Sequence, residues 1–331
     1  MVVDGLRAWL AAPAEPEPLV VETSGSTGTP KRVLLSRRAV LASVSATERR
    51  LGGPGPWVLA VPSTYVAGLQ VICRSLVAGH DPVLAEEHPT LVAALGAASA
   101  TNLFLSLVPT QLHRLLDDPA SVAALREAHT ILLGGGPIDP ALRGRAAEEG
   151  LRVVATYGSA ETAGGCVYDG YPLEGVELEV DVDGRIRISG PSLFDGYDGD
   201  PELTAQVLVD GWFLTSDAGR LDEDGRLHVL GRLDDVVVSG GDNVPLPAVA
   251  ARLRAHPSLA AAEVVGVPDE EWGQRVVAFV VTTRPVSLLE VRDWVSGAHP
   301  RSWAPQALVP LDALPVLDNG KVDRMALKEL A

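Results

Sequence analysis

Residues 23–29 are an unbroken run of seven Ser, Thr and Gly residues, followed by Pro30 and Lys31 and then by the apolar Val33, Leu34 and Leu35. Glycine lets the backbone turn back and aim N–H groups at one point, the hydroxyls add donors, and Lys31 adds a positive charge. Such a run is suited to hold phosphate. A flexible linker is the alternative, but linkers rarely run straight into a buried strand. The run is not a Walker loop, which needs G-x-x-x-x-G-K-[ST] at the start of a helix. With Gly25 and Lys31 aligned, Pro30 stands where the second glycine belongs and Arg32 where the hydroxyl belongs, and an apolar strand follows.

Four further stretches could serve the same anion. "ILLGGGPID" (131–139) ends a strand in Gly134, Gly135 and Gly136, which allow a flat ligand close to the backbone. "VVATYGSAET" (153–162) ends another with the ring of Tyr157 and the carboxylate of Glu161. "DGWFLTSDAGRLDEDGRLHVLGRLDD" (210–235) holds Asp217 and Arg232 in a hairpin pattern that brings its ends together. A carboxylate there could accept both hydroxyl protons of a ribose diol. "LDNGKVDR" (317–324) sets Lys321 after an Asn-Gly turn. Each has an ordinary alternative: a tight turn, a rim tyrosine, a solvated glutamate, a surface ion pair of little energy, or a solvated lysine.

These residues need elements to hold them. Apolar runs at 32–35, 57–61, 82–84, 102–107, 130–133 and 152–156 read as strands, with helical patterns at 36–51, 110–116 and 140–150 between them and Ser36 as an N-cap. Alternation of this kind predicts a largely parallel sheet flanked by helices, with ligands at the carboxyl ends of its strands. From about residue 172 the pattern changes to period-two alternation with Asp-Gly turns, in 176–190 and 225–239, which predicts hairpins and a small β subdomain. A third region carries helices at 246–255 and 288–297 and strands at 262–267 and 276–282. The expected fold is α/β: a large N-terminal domain over 1–233, with a β-rich part at about 172–233, and a small α+β domain over 234–331.

The chain of 331 residues carries 27 basic against 43 acidic residues, a net charge of −16. That balance argues against a nucleic-acid surface and an anionic membrane, so a phosphate ligand needs a local positive pocket. Two cysteines, Cys73 and Cys166, are too few for a disulfide framework and lack metal-ligand spacing. The N-terminus lacks a signal-peptide pattern, and the most apolar helical stretch, 66–79, is short and contains Arg74. The expectation is a cytoplasmic protein without membrane insertion.

In order, "TSGSTGTPK", "YGSAET", "WFLTSDAGRLDEDG", "GRLDDVVVSGGDNV" and "NGKVDR" resemble the acyl-CoA synthetase and adenylation-domain superfamily of adenylate-forming enzymes, from about residue 20 onward. Within it, "AGLQVICRSLVAG", "LSLVPTQLHRLL", "ILLGGGPI" and "DEEWGQRVVAFVV", with the short run before the loop, resemble the o-succinylbenzoate–CoA ligase family of menaquinone biosynthesis.

The resemblance implies two steps, attack of a carboxylate on the α-phosphate of ATP to give an acyl-adenylate, then displacement of AMP by coenzyme A. It implies ATP, Mg²⁺ and coenzyme A as co-substrates, no tightly bound prosthetic group, small-molecule substrates as partners, and a homodimer as the candidate assembly. By similarity, Thr23, Ser24, Ser26, Thr27 and Lys31 would cradle the ATP phosphates, and Gly135, Gly136 and Tyr157 would border the adenine. Asp217 and Arg232 would hold the ribose, and Glu161 would bind the Mg²⁺. Lys321 would reach the α-phosphate and the attacking carboxylate. Asp234 matches a hinge about which the C-terminal domain turns between steps, and Ser239, Gly240 and Gly241 a loop lining the coenzyme A tunnel. Gly134, Tyr65 and Arg74 would face the acyl substrate, Arg74 as partner of its second carboxylate. Two positions depart from the family: Ala160 replaces the usual Thr or Ser before the magnesium glutamate, with Ser159 beside it, and Tyr65 replaces a histidine. The alternatives are a ligase for another aryl or dicarboxylic acid and a non-catalytic nucleotide-binding relative.

Overall fold

The computed structural model describes residues 2–23, 30–98, 102–316 and 322–331. By internal contacts the chain divides into two compact units, one built of 1–179, 187–215 and 222–227, the other of 180–186, 216–221 and 228–331.

The first unit opens with α1 (Val2–Leu10), β1 (Leu19–Thr23) and β2 (Lys31–Leu35). There follow α2 (Arg37–Leu51), β3 (Trp57–Leu59), α3 (Val66–Val77), β4 (Val83–Leu84), α4 (Leu91–Ala97), β5 (Phe104–Leu107), α5 (Pro109–Leu115) and α6 (Pro119–Leu125). Next come β6 (Thr130–Leu133), α7 (Pro140–Glu148), β7 (Val153–Ser159), β8 (Gly164–Tyr168) and β9 (Tyr171–Pro172). The main sheet has seven strands in the order β4-β3-β5-β6-β7-β8-β9. The first five are parallel and the last two pairings antiparallel, so the predicted parallel sheet is present with an antiparallel edge. Short β-branched and leucine-rich runs form its middle: β5 and β6 are buried along their whole length, as strands covered on both faces must be. Leu105, Ile131 and Leu133 pack with Leu112, Leu125 and Leu142 of the flanking helices in one core.

α2 shows how local signals set an element. Ser36 accepts a hydrogen bond from the Ala39 N–H, and Gly52, at φ +93°, receives the chain in the left-handed conformation while its N–H bonds the Glu48 carbonyl. A Ser cap of this kind stabilises a helix by ~1 kcal/mol. Between the caps, Ala39, Val40, Ser43, Val44, Ala46, Thr47 and Leu51 form the buried stripe, at the three- and four-residue spacing of one helix face.

The β-rich region contains β10 (Glu177–Val180), β11 (Arg185–Ser189), β12 (Gly196–Tyr197), α8 (Pro201–Val207), β13 (Leu208–Val209), β14 (Trp212–Leu221) and β15 (Leu227–Arg232). One sheet runs β10-β11-β14-β13 with β15 on β14, while β12 leaves it and adds to β2. The pattern in 225–239 predicts a hairpin, but its two strands belong to different sheets. A 3-10 turn at Leu233–Asp235 separates β15 from β16 (Val236–Ser239), which pairs with β17 (Asp242–Pro245). Asp-Gly turns do close the others, Asp181–Gly184 and Asp222–Gly225, each with the aspartate accepting a backbone N–H two residues on.

The second unit holds α9 (Leu246–Arg254), β18 (Leu259–Asp269), β19 (Gly273–Thr282), α10 (Leu288–Ser296), β20 (Ala307–Pro310) and α11 (Arg324–Glu329). Its sheet runs β17-β16-β19-β18, with β20 parallel to β19. α9 and α10 pack on one face through Val249, Leu253, Val291 and Val295. Among the described residues no helix is long and apolar enough to cross a membrane. Cys73 and Cys166 are free and buried, and loss of water pushes both thiols up to about 12, so neither is a nucleophile at neutral pH.

Candidate active site

The Ser/Thr/Gly run joins two strands of one hairpin. β1 and β2 pair antiparallel with Thr23 opposite Lys31, so the chain enters and leaves the run as strand. Ser24, Ser26, Thr27 and Lys321 lie outside the described residues, as does the side chain of Asp234.

Glu161 sits in a 3-10 turn, Ala160–Thr162, just beyond the carboxyl end of β7. Its side chain is buried, at 8 % exposure, and a buried carboxylate needs a donor. Tyr197 supplies it, its hydroxyl donating to Oε1 at 2.8 Å. The same ring lies under Lys31, with Nζ 5.2 Å from the ring centroid. One tyrosine thus touches the proposed metal carboxylate and the proposed phosphate lysine. Sequence reasoning passed over Tyr197. The signal was a large aromatic inside Asp195-Gly196-Tyr197-Asp198-Gly199, a turn-like stretch with no reason to carry a buried ring.

The glycines at the end of β6 have separable reasons. β7 continues four residues past its last pairing with β6, Leu133↔Ala155, so Thr156 stands over Gly134. A Cβ on Gly134 would come within 2.3 Å of Thr156 Oγ1, and Gly135 adopts φ +78°. Gly135 and Gly136 are exposed, and Tyr157 is half-buried on β7. The carboxyl ends of β6 and β7 thereby bring together Gly134, Gly135, Gly136, Tyr157 and Glu161. Tyr65 is half exposed, at 50 %, and stands at the N-cap of α3.

Arg74 has its own set of neighbours. It lies in the last turn of α3, over Trp57 at 5.0 Å, and Trp57 is the first residue of β3. The guanidinium thus spans from the first residue of β3 to Tyr168, which pairs with Thr156 of β7. It is 4 % exposed and donates to the Tyr168 hydroxyl at 3.4 Å. Burial pushes the Glu48 carboxyl up, and the positive charges of Arg74 and Arg49 pull it back down, so Arg74 has a counter-charge nearby.

In the second unit Asp217 on β14 and Arg232 on β15 stand side by side, with Arg232 Nε 3.9 Å from Asp217 Oδ1. Ser239 is buried and accepts from Gln306 Nε2 at 3.2 Å. Gly240 and Gly241 form the two-residue turn between β16 and β17, at φ +58° and +88°, the left-handed pair that a tight hairpin requires. Arg324, three residues after Lys321, bonds Asp235 at 2.6 Å and Glu263 at 3.1 Å. Burial works against its charge, but Glu263 and Asp235 outweigh that and raise its pKa.

Among the described residues no three His, Cys, Asp or Glu side chains gather to hold a metal. A single buried carboxylate suits Mg²⁺, which binds through one or two protein carboxylates together with substrate phosphates. Glu161 is the fitting ligand.

A family model described as AMP-binding enzyme matches residues 19–198, and one described as AMP-binding enzyme C-terminal domain matches 248–321. The chain belongs to the AMP-binding enzyme family. The likeness to this family extends over nearly the whole chain. A "Probable 2-succinylbenzoate--CoA ligase" of Mycobacterium tuberculosis is 43% identical over 322 residues, covering 93% of this chain and 83% of that protein. The o-succinylbenzoate CoA synthetase of Bacillus subtilis, solved with its acyl-adenylate intermediate, superposes with TM-score 0.81 at 29% identity, covering 93% of this chain and 68% of that one. The same enzyme has been solved with ATP and a magnesium ion. The amide bond synthetase McbA of Marinactinospora thermotolerans gives TM-score 0.82 at 30% identity, covering 94% and 68%. The fold is that of an adenylate-forming enzyme, with a large N-terminal and a small C-terminal domain. Against this family the departure at Ala160 has a local consequence. Ala160 packs in the core with Val33, Leu35 and Phe194, while Ser159 Oγ beside it is buried and has no hydrogen-bond partner among the described residues.

Proposed function

We propose that this chain is an ATP-dependent acid–CoA ligase that adenylates 2-succinylbenzoate and then forms its coenzyme A thioester. One observation carries the reading: a buried carboxylate, Glu161, and a lysine, Lys31, are held by the same tyrosine beside a Ser/Thr/Gly loop. A loop of hydroxyls and N–H groups with one lysine cradles phosphate but has no charge to spare for a nucleophile. Bound Mg²⁺ supplies that charge when it bridges the phosphates, and Glu161 is the residue that holds it. The mycobacterial relative, at 43% identity, supports 2-succinylbenzoate as the acid.

In this reading Thr23, Ser24, Ser26, Thr27 and Lys31 neutralise the departing pyrophosphate. Gly134, Gly135, Gly136 and Tyr157 let the adenine and the acyl group lie against the ends of β6 and β7, and Asp217 and Arg232 hold the ribose. Lys321 neutralises charge between the attacking carboxylate and the α-phosphate, where two anions must meet. The Ser239–Gly241 turn guides the pantetheine chain, and Asp234 is the hinge between domains 1–233 and 234–331. Tyr65 borders the acyl pocket, and the Arg74→Ala variant described below decides whether Arg74 meets the second carboxylate of the acid. The reading carries with it a cytoplasmic location and a homodimer, the latter read by light scattering.

The deciding experiment is ATP–pyrophosphate exchange with a panel of acids, with coenzyme A added separately to follow the thioester. 2-Succinylbenzoate should give the highest rate. Benzoate or a fatty acid exceeding it would replace the substrate, and the departures at Ala160 and Tyr65 favour another aryl or dicarboxylic acid in that event. Lys321→Ala should lower adenylation about a hundredfold or more while thioester formation from supplied acyl-adenylate stays within a few-fold. Equal loss in both halves would remove Lys321 from its assigned step.

A further inference from the structure

We infer that Tyr197 is a positioning residue of the adenylation step, one that fixes the Glu161 carboxylate through its hydroxyl and the Lys31 ammonium through its ring. The inference rests on the proposed ATP-dependent reaction and adds to it a residue with no assigned role.

Three observations converge on this side chain. The hydroxyl donates to Glu161 Oε1 at 2.8 Å in a buried setting. That fixes one oxygen and orients the carboxylate plane, which a metal ligand requires. The face of the ring carries Lys31 at 5.2 Å, an attraction between an ammonium and the negative face of an aromatic ring. The third observation is rigidity. Tyr197 lies on β12, paired with Val33 of β2, two residues along the same strand from Lys31. Its N–H donates to Thr204 Oγ1 at 2.9 Å. Its ring packs edge-on against Phe194 at 5.0 Å, and Phe194 packs edge-on against Phe213 at 5.5 Å. The Phe194 N–H in turn bonds the Glu161 carbonyl at 2.9 Å.

A tyrosine held at backbone, ring and hydroxyl has few rotamers to lose when ligand binds. A structural tyrosine needs burial and one acceptor. This one has in addition a lysine on its face and, as its acceptor, a carboxylate just beyond the end of β7. The hydroxyl and the ring do separate work, so they can be removed separately.

The test uses the full chain. Tyr197→Phe keeps the ring and removes the hydroxyl. By calorimetry it should weaken binding of ATP in the presence of Mg²⁺ about tenfold, the size of losing a hydrogen bond to a charged group. Binding of ATP in EDTA, thioester formation from supplied acyl-adenylate, and the unfolding midpoint should stay near wild type. Tyr197→Leu removes the platform under Lys31 as well and should weaken ATP binding in EDTA too. Wild-type magnesium-dependent binding by Tyr197→Phe, or equal loss in both half-reactions, would overturn the inference. Glu161→Gln separates the two levels. If it loses magnesium-dependent ATP binding while Tyr197→Phe does not, only the role of Tyr197 fails. If the wild-type protein itself shows no magnesium-dependent ATP binding, the underlying reading fails with it.

Discussion

Among its described residues the N-terminal unit buries two charges, each bonded to a tyrosine hydroxyl. Glu161 lies beyond the carboxyl end of β7, bonded to Tyr197. Arg74 lies beside Trp57 at the amino end of β3, bonded to Tyr168. The tyrosines differ in what else they touch. Tyr168 is fully buried and passes its hydroxyl on to Thr47 at 3.0 Å, and Trp57 stacks on Phe104 at 4.9 Å, so Arg74 is enclosed by core. Tyr197 turns its ring to a lysine at the root of a loop of hydroxyls and glycines. A buried charge is therefore not a functional sign in itself. The deciding feature is whether its surroundings end in core or in groups able to bind a ligand.

That contrast can be broken by experiment. The largest effect should come from Glu161→Gln, which removes the charge proposed to bind the metal but keeps the shape. Adenylation should fall about a hundredfold with the unfolding midpoint nearly unchanged, read by exchange and by calorimetry. Arg74→Ala should behave in the opposite way. It empties the space over Trp57, leaves the Tyr168 hydroxyl without its cation and takes one of two from Glu48, at a cost of about 3 kcal/mol and several degrees in thermal unfolding of this unit. If instead the midpoint holds and the Michaelis constant rises for a dicarboxylic acid more than for a monocarboxylic one, Arg74 belongs to the acyl pocket, as the resemblance implied, and the contrast collapses. The smallest effect sharpens it. Tyr168→Phe should cost about 1 kcal/mol of stability, one net hydrogen bond, without altering ATP binding, whereas Tyr197→Phe should do the reverse.

Much of the fold was legible in local signals. The strand over 130–133 has the predicted limits, Thr130–Leu133, because a short apolar run between a loop and a glycine cluster admits few alternatives. The helix predicted over 36–51 is Arg37–Leu51 with Ser36 as its cap. The hairpin expectation brought Asp217 beside Arg232 because the Asp-Gly turn and period-two alternation set the register. The same alternation misled in 225–239. Period two says that a segment is a strand, and not which sheet takes it, and the turn at Leu233–Asp235 sends β16 to a different one. Elements with weak signals, such as β1, β12 and the two-turn helices α4 and α6, were missed, since propensity over so few residues is small beside what packing contributes.

The sequence by itself determined the chemistry on offer. Pro30, Arg32 and the apolar strand expected over 32–35 excluded a helix-opening phosphate loop, the glycines after Leu133 marked a close backbone approach, and the ordered motifs identified the family. These are properties of neighbouring residues, written in spacing and side-chain type. Tertiary structure alone decided which groups act together. Tyr197 reaches Glu161 across 36 residues only because β12 leaves its own region and pairs with β2, and Arg74 reaches Tyr168 across 94 residues only because α3 packs on the sheet that β8 extends. Neither leaves a periodic trace, because a contact between distant segments depends on the path of the chain between them.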